Sequence, residues 1–143
     1  VILIRLLSKG SFLMFRLNNK GQTLVLFVIL FPIFIFIMAI VYDIGSLYYE
    51  KERLDNICYM TIDYGLDLNG EVDENDLIDL VMKNITDLND ITVLIDDENT
   101  ITISLNKNVK GLFGTILNIN TTQVVSEYRG SIVNNRKVIE RVE

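Results

Sequence analysis

Hydrophobic and polar positions are strongly segregated along this chain. Between Lys20 and Asp43 lie twenty-two uncharged residues, GQTLVLFVILFPIFIFIMAIVY. At 1.5 Å rise per residue they span roughly 33 Å, against a hydrocarbon core of about 30 Å. Leu24 to Val41 has apolar residues on every side, whereas a soluble helix in so small a chain needs a polar face. The stretch therefore predicts one transmembrane helix. It is too long for the apolar region of a secretory signal, and Asp43-Ile44-Gly45-Ser46 is a poor cleavage site. Pro32, the twelfth residue of the run, removes one backbone donor and predicts a kink near the membrane centre.

After Asp43 the pattern becomes amphipathic. Ile44, Leu47, Tyr48, Leu54, Ile57, Cys58, Ile62 and Leu66 recur mostly at three- and four-residue spacings, with Glu50, Lys51, Glu52, Arg53 and Asp55 between them. This predicts that the membrane helix continues outward from about Thr23 to Tyr64, roughly 60 Å in all. Asp67-Leu68-Asn69-Gly70 ends it, and Asp73 caps a second helix predicted over Glu74 to Leu88. Ile91 to Ile95 and Thr100 to Leu105 are β-branched runs joined by Asp96-Asp97-Glu98-Asn99, which predicts a hairpin. Val109 to Leu117 reads as a short helix or an irregular loop, Ile119 to Tyr128 as a third strand, and the tail after Gly130 as a weakly alternating strand.

Charge follows the same division. Arg5, Lys9, Arg16 and Lys20 precede any acid, and no acid occurs until Asp43. Net charge is −6, so with those four cations set aside the remainder carries −10. A basic flank, an apolar span and an acidic remainder predict a cytoplasmic N-terminus and an outer C-terminal part. Domain boundaries follow: 1–20 a basic cytoplasmic leader, 21–42 the membrane helix, 43–143 an extracytoplasmic domain. The acidic balance of that domain would repel phosphate and disfavours nucleic-acid binding.

The 143 residues contain no His and no Trp, which removes Ser-His-Asp, Cys-His and His-based zinc chemistry. Asp67, Asn69, Glu71 and Asp73 echo a calcium loop, but its sixth and twelfth positions would be Val72 and Ile78 in place of Gly and Glu. Asp96, Asp97 and Glu98 read as a solvated hairpin tip. Cys58 is the only cysteine, so it reads as a small buried hydrophobe or as the donor of an intermolecular bond. No catalytic residues, cofactor or metal are expected, and the protein is not expected to be an enzyme.

The stretch Lys20-Gly21-Gln22-Thr23-Leu24-Val25, the apolar run with its single Pro32, Tyr42-Asp43-Ile44-Gly45-Ser46-Leu47-Tyr48-Tyr49, and Arg53-Leu54-Asp55-Asn56 together resemble the N-terminal region of the TadE/TadG-like proteins of tight-adherence (Tad/Flp) pilus assembly. The resemblance covers residues 20 to about 66. It implies a minor pilin-like subunit or assembly factor in the bacterial cytoplasmic membrane, acting through helix packing and contacts with other pilus or pseudopilin subunits and the assembly platform. The elements read above make an α+β, pilin-like fold, with the long helix packed on a small antiparallel sheet of about three strands and one further helix. In processed members a prepilin peptidase cuts after the Gly, and a Glu stands five residues later; here Gly21 matches, and that position holds Leu26. Lys20, Gly21, Gln22 and Leu26 are thus the candidate processing residues, with Gly21 as a flexible junction the competing reading. Pro32, Asp43 and Gly45 are the candidate membrane-helix residues, Asp43 and Gly45 setting depth and permitting close helix contact or simply marking the outer interface of an anchor. The alternative function is a membrane-anchored extracytoplasmic binding or sensory module unrelated to pili.

Overall fold

A computed structural model describes residues 19–68, 72–96, 100–112 and 121–142. The expected leader, the acidic tip at Asp97 and Glu98, Asn69 and Glu71 of the calcium-like loop, and most of the Val109 to Leu117 segment lie outside the described residues. The chain divides into two compact units, Val1–Met38 and Ala39–Glu143.

Helix α1 is unbroken over Asn19–Asp67, a few residues longer at each end than the periodicity predicts. Within the first unit every described side chain from Thr23 to Met38 is exposed, as expected of a surface whose apolar partner is lipid. The helix continues through Pro32. It is long and apolar enough to cross a membrane.

In the second unit, α1 buries one stripe: Leu54, Ile57, Cys58, Thr61, Ile62 and Leu66, at three- and four-residue steps. Ile44 and Tyr48 follow the same rhythm in the sequence but are 62% and 66% exposed, a correction to the expected apolar face. Helix α2 spans Glu74–Asn84 and stops four residues short of the predicted Leu88. Ile85 takes an extended backbone there and its N–H returns to the Val81 carbonyl at 3.0 Å. Asp73 caps the start, with Glu74 and Asp76 in the first turn and Lys83 in the last, the charge order that complements the helix dipole.

The sheet has four strands, β1 (Asp90–Ile95), β2 (Ile101–Val109), β3 (Thr122–Val133) and β4 (Arg136–Arg141), all antiparallel in the order β1-β2-β3-β4. The expected hairpin is present. The count of about three is corrected to four, because Asn134 and Asn135, with φ of 50° and 60°, form the left-handed two-residue turn that folds the tail back on β3. The core lies between the helices and one sheet face, where Val93, Ile101, Ile103, Leu105, Val109 and Val124 meet α1 and the Leu77, Val81 and Ile85 side of α2. The architecture is α+β, with a long apolar N-terminal helix and a small antiparallel sheet, as expected.

Gly130 and Gly65 let the layers approach. A Cβ at Gly130 would collide with the Ile62 Cγ2 methyl, and one at Gly65 would stand 2.6 Å from Ile101 Cδ1.

Candidate functional site

Each candidate processing residue lies in the first turns of α1. Lys20, Gly21 and Gln22 are helical, and Leu26 is exposed. Pro32 lies inside the helix. These positions form one linear segment of α1.

Asp43 and Gly45 differ in their surroundings. Asp43 Oδ1 accepts the Leu112 backbone N–H at 2.6 Å, and the carboxylate lies so close to Gly111 that a Cβ there would stand 2.5 Å from Oδ2. The acid therefore holds the chain just beyond β2 against α1. Gly45 has nothing within 4 Å of the position a Cβ would occupy. Mid-helix glycine costs about 1 kcal/mol relative to alanine, and no packing inside the described chain offsets it.

Beyond Gly45 the outward face of α1 carries Tyr48, Tyr49, Tyr59, Met60 and Tyr64, all at least half exposed. The Tyr48 hydroxyl donates to Glu52, which raises its pKa. Two shallow grooves flank this ridge where it meets α2. One, of about 360 Å³, is lined by Tyr49, Glu52, Arg53, Asn56, Ile57 and Asn84. The other, of about 340 Å³, is lined by Tyr64, Leu68, Val72, Asp76, Asp79, Leu80 and Lys83. Tyrosine offers large rigid contact area with a polar tip, the chemistry of a protein-contact surface.

Charged side chains fasten this helix to the sheet. Lys107, 6% exposed on the inward face of β2, donates to Glu50 at 2.9 Å and pairs with Asp87 at 2.7 Å. Burial alone would depress the Lys107 pKa, but its bonds to Asp87 and Glu50 outweigh that and raise it. The bond from Lys107 holds Asp87 below its ordinary value. Asp55 accepts the Ser126 hydroxyl at 2.5 Å and pairs with Lys51 at 2.9 Å, while Lys51 also donates to the Val125 carbonyl at 2.6 Å. Lys137 of β4 bridges Asp63 and Asp67 at 2.6 and 2.8 Å, and both bonds raise its pKa. Sequence reasoning missed these clamps. The signal was present: in Ile101, Ile103, Leu105, Lys107, Val109 the strand period places one lysine on the apolar face.

Cys58 is fully buried, with its Sγ 3.7 Å from the Ser126 carbonyl, and burial pushes the thiol up to about 11. The reading of a small buried hydrophobe is the one the fold bears out. Asp73 of the calcium-like run is the α2 cap. No curated protein and no solved structure matches the chain. The apolar span, the Asp43-x-Gly45 element and the first turns of the tyrosine-bearing helix together, residues 21–58, match the Tad family model of Flp pilus-assembly TadE/G-like proteins, so this chain carries a TadE/G-like segment.

Proposed function

We propose that this chain is a minor pilin-like subunit or assembly factor of a Tad/Flp-type surface pilus, working by lateral packing of its membrane helix and by protein contacts of its outer domain. The observation that carries the reading is the TadE/G-like match over residues 21–58, which supports involvement in Tad/Flp pilus assembly. The apolar α1 segment supports membrane anchoring, and the charge order supports the orientation with residues 1–20 inside, 21–42 crossing and 43–143 outside. The open space at Gly45 and the exposed tyrosines beyond it support a role in which α1 meets another protein. Other pilus or pseudopilin subunits and the assembly platform are the partners in this reading, which contains no catalytic step.

Cleavage by a prepilin peptidase would fall between Gly21 and Gln22. With Leu26 where processed members carry a glutamate, the membrane segment lacks an acid that could pair with a neighbour's new N-terminus. Helix contact would then rest on the apolar span and on Gly45.

Deleting the gene in its source bacterium tests the reading. Surface fibres and adherence should be lost and return on complementation. Fibres unchanged by the deletion would overturn it in favour of an anchored binding or sensory module.

A further inference from the structure

The sheet ends in two edges of opposite character. In the β1–β2 hairpin the Asp96 N–H bonds to the Thr100 carbonyl, so the even-numbered positions of β1 face β2 and Ile91, Val93 and Ile95 turn their backbone groups outward. At the other edge the Val142 N–H bonds to the Glu127 carbonyl, so Lys137, Ile139 and Arg141 turn theirs outward. β4 carries Arg136, Lys137, Glu140 and Arg141, with Lys137 and Arg141 already paired to Asp63, Asp67 and Asp55 of α1, while β1 is bounded by Asp90 and Asp96.

We infer that β4 of one copy pairs with β1 of a second copy, extending the sheet from molecule to molecule. The strand number is even, so β1 and β4 run in opposite directions and two copies in the same orientation meet with antiparallel edges. Copies anchored in one membrane share an orientation. One register matches the face turned away from the helices. With Ile139 opposite Val93, Arg136 falls opposite Asp96 and Val138 opposite Leu94. Leu94 and Val138 are 57% and 41% exposed in the single chain and would cover each other. A shift by two residues one way puts Glu140 opposite Asp90, and the other way puts Val138 opposite Asp96, so charge and apolar matching select this register. Asp96 keeps its contacts within the chain, since a carboxylate accepts several hydrogen bonds. Glu74 Oε1 accepts the outward Ile95 N–H at 3.2 Å and would yield it to the Lys137 carbonyl of the second copy. The contact is head-to-tail, and such contacts build rings or open fibres instead of closed pairs.

The inference rests on the membrane-anchored part of the proposed function and not on the pilus. The test is therefore made with the full chain in membranes of a bacterium lacking pilus genes. Leu94→Cys and Val138→Cys variants, differently tagged, are co-expressed and oxidised; the buried Cys58 stays in place. Positions 94 and 138 would be a non-hydrogen-bonded pair, with Cβ atoms close enough for a disulfide. The expected result is a mixed dimer at about tenfold the level of dimers from either variant alone. Dimers of one variant alone at the level of the mixed dimer, cross-linking of Leu94→Cys with Glu140→Cys to the same extent, or no dimer at all would each overturn the pairing. Both sites are exposed, so the variants fold as the parent, and circular dichroism checks that. A failure here leaves the deletion experiment untouched, so the two ideas fall separately.

Discussion

Asp43 Oδ1 accepts the Leu112 backbone N–H at 2.6 Å, joining positions 69 residues apart in the chain. The acid just past the apolar span thus fastens the chain end of β2 to α1, in addition to any role at a membrane surface. Asp43→Ala should speed hydrogen exchange at Gly111 and Leu112 and cost about 1–2 kcal/mol in the second unit. Unchanged protection at Leu112 would refute the fastening.

Gly130 and Gly65 should respond differently to alanine. At Gly130 the new Cβ meets the branched, stiff Ile62, with Leu66 Cδ1 at 3.2 Å and Ile139 Cγ1 at 3.4 Å, so Gly130→Ala should destabilise by about 1–3 kcal/mol. At Gly65 the obstacle is the movable end of Ile101, and alanine gains up to about 1 kcal/mol of helix propensity. Gly65→Ala should lie near neutral. Urea unfolding monitored by tyrosine fluorescence compares them.

The Glu50–Lys107–Asp87 clamp carries a pH signature with two limbs. The Lys107 pKa is raised above 10.5, so its contribution is full below 10.5 and is lost as pH rises through the higher folded value. The Asp87 pKa is lowered below 3.8, so its contribution is full above 3.8 and is lost as pH falls through the lower folded value. Lys107→Met should flatten the alkaline limb of stability against pH and cost about 1–3 kcal/mol at neutral pH, because Glu50 loses its closest cation. A wild-type alkaline limb in that variant would show that another group controls it.

Cys58 should be inert while the chain is folded. With the thiol pushed up to about 11, its thiolate fraction at pH 8 is about a hundredfold below that of a free cysteine, and the group is fully buried besides. Thiol labelling should appear only with unfolding. Rapid labelling of the native protein, or dimers through Cys58, would contradict this placement.

Intact mass with N-terminal sequencing of the membrane-extracted native protein distinguishes two fates of the proposed anchor. A chain beginning at Gln22 has been processed despite Leu26 and is free to join a fibre. One that retains the residues before Gly21 is a permanent anchor, and its role shifts to the assembly machine or outside the pilus system.

Much of the layout was legible in local pattern. The apolar span, its continuation into a long helix and the β1–β2 hairpin each rest on interactions between residues near in sequence, so periodicity alone exposes them. The α2 boundary was less legible: Leu88 continues the apolar rhythm, yet the backbone turns extended at Ile85, and Asp87 is bonded to Lys107, twenty residues away. The fourth strand was concealed by a tail of charged residues whose outward positions suit an edge strand, and Asn134-Asn135 was its only turn signal.

What the sequence determined by itself was the division of the chain: one uncharged apolar run long enough for a bilayer, a basic side and an acidic side, and a part beyond the run with both helical and strand periods. Those properties are sums over neighbouring residues. Only the tertiary structure decided which side chains on the shared helical rhythm are core and which are surface. Leu54, Cys58 and Ile62 are buried where the sheet lies, while Ile44 and Tyr48 are exposed because no described strand reaches their side of α1. It likewise decided that Asp43, Glu50, Asp55 and Asp63 fasten the helix to the sheet, since each partner lies from 57 to 74 residues away in the chain and no local pattern records that distance.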